Sequence, residues 1–285
     1  FAMGFRVEHP QGLIDQARYG EKHAADVQRG KGKIPVADYK LTVEVTDDTY
    51  TGPAADQQPR QQPREPRQQP AAHDAAGSGA SEAASAASSS DGASKPRSAA
   101  AFGGGGAVEE YGGASGRNVP PGQRGVYSFC MCPGGQIVCT STTPEELCLN
   151  GMSFSKRNSQ WANSALVVNT NPSDWAHHEA EHGVLAGIAF QEEMEREAAR
   201  RGGGNLVAPV QRVTDFVAGQ VSTGMLPSSS YRLGVKSAPL HDLYPPFVSA
   251  ALAKALQRFE RTIPGFMNSP DALLHGIEAR TSSPI

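Results

Sequence analysis

The chain has 285 residues, with 26 Lys and Arg against 29 Asp and Glu and a formal net charge of −3, so it carries no global basic field to hold nucleic acid or an anionic membrane. No apolar run approaches the roughly 20 residues that a membrane-spanning helix needs. The opening Phe1-Ala2-Met3-Gly4-Phe5 leads into a strand-like pattern, with no secretory signal, and a chain that begins on Phe is expected to be a piece of a longer protein whose targeting information is missing.

The N-terminal flank reads strand, helix, strand. The run AMGFRVEH (2–9) alternates as a strand does. In HPQGLIDQARYG, Pro10 suits a first helical turn, Leu13, Ile14 and Ala17 make an apolar face, and Gly20 can stop the helix. ADYKLTVEV then sets Tyr39, Leu41, Val43 and Val45 on one side of a half-buried strand. From residue 51 to 118 the composition turns Gln/Pro-rich, then Ala/Ser-rich, then Gly-rich. With almost no large apolar residue, it cannot offset roughly 1–2 kcal/mol per residue of backbone ordering. A disordered insertion is expected there, between a first part (1–50) and the remainder (119–285) of one domain.

Beyond the insertion, RGVYSFCMCPGGQIVCTST holds two β-rich runs joined by Pro133-Gly134-Gly135, whose turn chemistry predicts a hairpin. LCLNGMSF contributes an Asn150-Gly151 turn, and ANSALVVNT a short buried strand. The period then changes. LAGIAFQEEMEREAARR (185–201) predicts a helix stopped by Gly202-Gly203-Gly204. A second helix is expected from Pro246 to Arg261, with Val248, Leu252, Ala255, Leu256 and Phe259 on its apolar face. The chain closes on the strand-like HGIEARTSSPI.

Two clusters suggest chemistry. His178-Glu179-Ala180-Glu181-His182 satisfies the zinc-hydrolase pattern H-E-x-x-H, which needs both histidines on one face of a buried helix. Here the motif follows the turn-forming Asn171-Pro172-Ser173-Asp174, lacks a flanking apolar stripe and runs into Gly183. A charged loop ahead of a helix accounts for it, and no metal ligands are assigned. The second cluster is Cys130, Cys132, Cys139 and Cys148. Their spacing matches no pair of C-x2-C knuckles, and their crowding into one region argues against a secreted disulfide scaffold. A reducing compartment is expected. On an extended strand, Cys130 and Cys132 would point the same way, an awkward geometry for a disulfide.

GFRVEHPQGLID, ADYKL, RGVYSFCMCPGGQIV, NGMSFSKRNSQWANSALVV, LAGIAFQEEME, GGGNLVAPVQ, IPGF and GIEARTSSP resemble, in order, successive blocks of a family of FAD-dependent dehydrogenases, flavoproteins of bacteria and plastid-bearing organisms. The stretch is similar to that family's C-terminal domain and covers nearly everything outside 51–118. The resemblance implies a Rossmann-type FAD domain ahead of Phe1, absent from this chain, and a returning segment after Ile285. No G-x-G-x-x-G follows a strand here, and Gly202-Gly203-Gly204 ends a helix where a pyrophosphate site would open one. The sequence departs from the pattern in its low-complexity run, in Ala279 where a Thr is expected, and in the variable HHEAEH.

The fold implied is α+β: a mixed, mainly antiparallel sheet with two main helices, the substrate or cap domain of a two-domain flavoprotein. For cofactor contacts the residues nominate Arg280, Thr281, Ser282 and Ser283, a row of donors suited to an anionic reduced flavin. Gly134 and Gly135 join them through close backbone approach, as does the stretch Asn150 to Ser153. Gln211 and Tyr39 are weaker candidates, and no catalytic residue is nominated. The expected function is part of an FAD-dependent oxidoreductase passing hydride between flavin and a small-molecule substrate. Its expected partner is the FAD-binding domain of the same parent protein, with no nucleic acid and no membrane. The alternatives are a non-catalytic binding module that lacks the flavin half and, remotely, a zinc hydrolase.

Overall fold

The organising strand is β1, Ala2–Pro10, which is buried along almost its whole length on both faces. Its alternation puts Met3, Phe5 and Val7 on one face and Ala2, Gly4, Arg6 and Glu8 on the other. A computed structural model describes residues 2–28, 35–47 and 122–280, so the insertion expected at 51–118 lies outside the described residues. The unit built around β1 comprises Phe1–Ala54 and Asn118–Ile285.

The strands of the main sheet are β1, β2 (Thr42–Thr46), β3 (Gln123–Cys132), β6 (Trp161–Asn169), β7 (Ala208–Arg212), β8 (Val235–Ser237) and β9 (Leu273–Glu278), while β4 (Gly135–Cys139) and β5 (Leu149–Ser153) form a separate two-stranded ribbon. Strand order in the sheet is β2-β3-β6-β1-β9-β7-β8. Every neighbour is antiparallel except the parallel pair β7 and β8. The architecture is therefore α+β with a mixed, mainly antiparallel sheet, as expected.

The helices are α1 (Gln11–Gln28), the single turn α2 (Glu179–His182), α3 (Ala186–Gly202), the short α4 (Val213–Ala218) and α5 (Pro246–Thr262). Gly20 breaks the helical backbone at φ 74°, but the chain resumes its helix beyond the kink. α3 ends where expected, on Gly203 in the left-handed conformation. α5 runs along β2, β3, β6 and β1 and turns Val248, Leu252, Leu256 and Phe259 into the same core as Met3, Phe5, Val7, Val126, Leu166 and Val168. This layer fills one face of the sheet.

Two turns differ from the sequence reading. Pro133-Gly134 does turn the chain, but β3 pairs with β2 and β6, whereas β4 pairs with β5. The turn is a corner that lifts the chain off the sheet into the ribbon. Asn150 and Gly151 lie inside β5, paired with Val138 and Ile137. There glycine serves close approach: a Cβ on Gly151 would stand 2.0 Å from Arg6 Nη2 and 2.1 Å from Asn163 Oδ1. β7, β8 and α4 went unread in the sequence, where short apolar runs among prolines and glycines carry no clear period.

Candidate functional site

The ribbon lies against β1, β3, β6 and β9 and covers the end of the sheet face that carries Arg6 and Asn163. Beyond it, the register sets Tyr127 opposite Val167 and Phe129 opposite Ala165, with Gly4 opposite Val167 on the next strand. Ala2, Ala165 and Val167 make a small apolar cluster under Tyr127. A cleft opens there, lined by Ala2, Tyr127, Phe129, Val167, Glu278 and Arg280. Its floor is low because the residues beneath it are alanine, valine and glycine, and its aromatic wall includes Phe129, which is 39% exposed.

Behind the cleft lies a buried polar network anchored by Arg6, a charged residue with no solvent exposure. Its Nε donates to Asn163 Oδ1 (2.8 Å) and its Nη1 to Glu278 Oε2 (2.6 Å). Its Nη2 donates to the Cys132 sulfur (3.3 Å) and to the Cys130 carbonyl. The second carboxylate oxygen, Glu278 Oε1, is buried and has no hydrogen-bond partner among the described residues. Burial pushes the Glu278 carboxyl above its ordinary range, and the adjacent Arg6 guanidinium opposes that shift. Glu278 thus lines the cleft, with its unpartnered oxygen buried behind the lining.

Glu8, next along β1, accepts hydrogen bonds from the Ser230 backbone N–H and hydroxyl, and burial raises its pKa as well. His275 shares a 2.8 Å hydrogen bond with Ser229 Oγ through Nε2. Burial depresses its pKa to about 4, so the ring is neutral near pH 7. Glu8 Oε1 stands 3.8 Å from that same Nε2. The carboxylate is therefore not on Nδ1, where it would orient an imidazole to act as base toward the serine. The arrangement braces the sheet and is no catalytic triad.

Arg280 lies at the rim. Its Nε and Nη2 grip both oxygens of the fully buried Glu195 on α3 (2.8 and 2.5 Å), and its Nη1 donates to Thr142 Oγ1 (2.5 Å). The Glu195 carboxylate holds its pKa well above the usual arginine value, so it is a fixed cation, about a third exposed. Thr281, Ser282 and Ser283 lie outside the described residues. Gly134 and Gly135 are buried in the corner before the ribbon, where a Cβ would strike the Arg157 carbonyl oxygen at 2.0 Å and that of Met152 at 2.3 Å. The Gly134 N–H is taken by Gln11 Oε1 (2.7 Å), so both glycines serve the corner's packing. Asn150 Oδ1 accepts a long bond from Arg6 (3.4 Å), and Ser153 Oγ donates to the Pro133 carbonyl. Gln211 is a buried brace bonded to Gln220, Leu240 and His241, and Tyr39 packs in the core against His9 and Phe266.

The sequence reading missed Glu278, Tyr127, Phe129 and the whole Arg6 network. The available signal was Arg6 and Glu8 two apart in an otherwise apolar strand, which puts two charges on one buried face. The cysteines also sit differently from their extended-strand placement. A bulge between Phe129 and Cys132, with Cys130 at φ 46°, leaves Cys130 exposed and Cys132 buried, and all four cysteines are free thiols.

The H-E-x-x-H stretch spans an element boundary. His177 and His178 end a 3-10 turn, Pro172–His178, and only Glu179–His182 is α-helical. No residue of either segment is buried, so the buried active-site helix of a zinc hydrolase is missing. His178 instead bonds Glu193 on α3, Nε2 to Oε2 2.9 Å.

The chain is 42% identical over 166 residues to a protein of Clostridium beijerinckii described as an uncharacterized protein, a match covering 57% of this chain and 30% of that relative. The chain thus spans less than a third of the length of the relative it matches. The family model for the FAD-dependent protein, C-terminal domain-like, matches residues 1–51 and 115–281, the two flanks that fold together around β1. The chain belongs to the family of FAD-dependent protein C-terminal domains.

Proposed function

We propose that this domain forms the substrate-side wall of a flavin cleft in an FAD-dependent oxidoreductase, closing over a cofactor gripped by a dinucleotide-binding domain of the same parent protein. The observation that carries the proposal is the cleft itself. The half-buried Tyr127 and the exposed Phe129, standing over the buried Ala2 and Val167, offer apolar area to a ring that a second domain would bring against them. The unpartnered Glu278 oxygen and the fixed Arg280 cation offer polar contacts at its edge. Such a mix of apolar lining and a few convergent polar groups is what cofactor sites share.

When bound, the flavin supplies the hydride-accepting or hydride-donating centre. The chain's residues hold and bias. Glu278 Oε1 is the acceptor for a ring or substrate N–H, kept in place by Arg6. Arg280, held in one orientation by Glu195 and 3.6 Å from Glu146, offers its partly exposed N–H edge as a donor to an anionic reduced ring. Phe129 and Tyr127 exclude water from the apolar side.

The test is made on the intact parent protein. Purified protein is expected to carry bound flavin with its yellow absorbance, and Arg280→Met to lower the flavin midpoint potential while Arg280→Lys largely restores it. A parent protein with no flavin, or a potential unmoved by Arg280→Met, overturns the reading.

A further inference from the structure

We propose that His177, His178 and Glu193 form a binding site for a divalent transition-metal ion of the zinc class, tying the 3-10 turn at Pro172–His178 to α3. The two imidazoles and the carboxylate each present a ligand atom, and all three atoms lie within 4.8 Å of one another. Glu193 Oε2 stands 2.9 Å from His178 Nε2 and 4.0 Å from His177 Nε2. Ligand atoms about 2.1 Å from a tetrahedral ion lie about 3.4 Å apart, and the two separations bracket that value. Small side-chain rotations therefore complete the geometry.

The rings are already placed. Their centroids are 4.2 Å apart, and both stand against the buried Phe190, at 6.0 and 6.2 Å. Two imidazoles with one carboxylate select a borderline cation such as Zn2+, Co2+ or Ni2+ over Mg2+ or Ca2+, which take oxygen ligands. Glu179, Glu181 and Glu192 nearby in sequence add negative charge that favours a cation. With His177 59% exposed, the fourth position faces solvent. The site does not use the H-E-x-x-H motif as a zinc hydrolase does. It takes the residue before the motif, the motif's first histidine and a carboxylate from the next long helix. His182 is not in the converging set, which comprises His177, His178 and Glu193, and its Nε2 stands 3.8 Å from Glu181.

The experiment is calorimetric titration of the chelator-treated 285-residue chain with ZnSO4, with the visible spectrum of the Co2+ form as a second readout. One equivalent is expected to bind. His178→Ala and Glu193→Gln should each weaken it about 100-fold, while His182→Ala changes it less than tenfold. Circular dichroism confirms that these surface variants fold. Stoichiometric binding that survives in His177→Ala/His178→Ala would assign the metal to the free thiols and overturn the proposal. No saturable binding to the wild-type chain, or a loss confined to His182→Ala, overturns it equally.

Discussion

Arg6 has no contact with solvent, and an isolated buried guanidinium would be prohibitively costly. It is tolerated because its donors meet Asn163, Glu278, Cys132 and the Cys130 carbonyl and because the ribbon seals it from water. The seal depends on Gly151, which touches both Arg6 and Asn163 where a Cβ has no room. Gly151→Ala is expected to push the ribbon off the sheet or break the Arg6 pair. Breaking a buried pair costs about 3–5 kcal/mol, and chemical denaturation measures the loss; a change under about 1 kcal/mol would show that the ribbon adapts freely. This residue marks the limit of sequence reading. Asn150-Gly151 has the composition of a turn, yet the glycine is there for a side chain far away in sequence, and only the folded register brings the two together. Arg280 was legible as a cation near the end of the last strand, but its bidentate grip on Glu195 was not, because Glu195 sits in a charged helical run that resembles any solvated face.

The elements whose packing decides their conformation by themselves were the readable ones. β1, β6, α3 and α5 carry strong periods and sharp stops, and they fall within a residue or two of the expected spans. Elements defined by whom they pair with were not readable: β3 and β4 flank a good turn yet belong to different sheets. His9 shows what an element boundary can hold. At the end of β1, its Nε2 donates to the Phe266 carbonyl (2.7 Å), and its Nδ1 has no partner among the described residues. Burial depresses its pKa to about 4 from an ordinary 6.5. The unfolded chain therefore binds this proton first as pH falls, so His9 withdraws stability between about pH 6.5 and 4 and none above it. Glu8 and Glu278, whose pKa values are raised, act with the opposite sign as they protonate, so the diagnostic quantity is a difference. His9→Asn should reduce the slope of unfolding free energy against pH in that window by about 1.4 kcal/mol per pH unit. An unchanged slope, measured by denaturation at several pH values, would show that His9 titrates normally.

Across the whole molecule, the two flanks of the low-complexity run meet as neighbours. Thr46 pairs with Gln123, and the Asp47 N–H donates to the Gly122 carbonyl (2.9 Å), so residues 48–121 span the two ends of a closed antiparallel pair. A connection that packs against nothing contributes only closure entropy, about 0.6 kcal/mol per doubling of length. Replacing it with a short Asn-Gly turn is expected to leave the fold intact and to raise stability by about 2–3 kcal/mol; destabilisation would mean that the run packs on the domain. The composition of that run was legible, as was the absence of a glycine fingerprint, and the second point bears on the cofactor. FAD is held in a dinucleotide-binding fold largely through its pyrophosphate, on backbone N–H groups at a helix N-terminus. In this chain Gly202-Gly203-Gly204 closes α3 at its C-terminal end, where the helix dipole repels an anion. On the function proposed above, the cleft between Tyr127 and Arg280 would meet the ring end of the cofactor, and the pyrophosphate and adenosine would be held elsewhere. The isolated chain is therefore expected to bind FAD more weakly than about 1 µM, a threshold that corresponds to about −8 kcal/mol. If the parent protein has the dinucleotide-binding domain proposed above, adding it should tighten binding, and Ala2→Phe or Val167→Phe, which fill the cleft floor, should reverse that gain. Fluorescence titration of FAD reads all three, and tight binding to the isolated chain would place the pyrophosphate site within residues 1–285 and refute this division of labour.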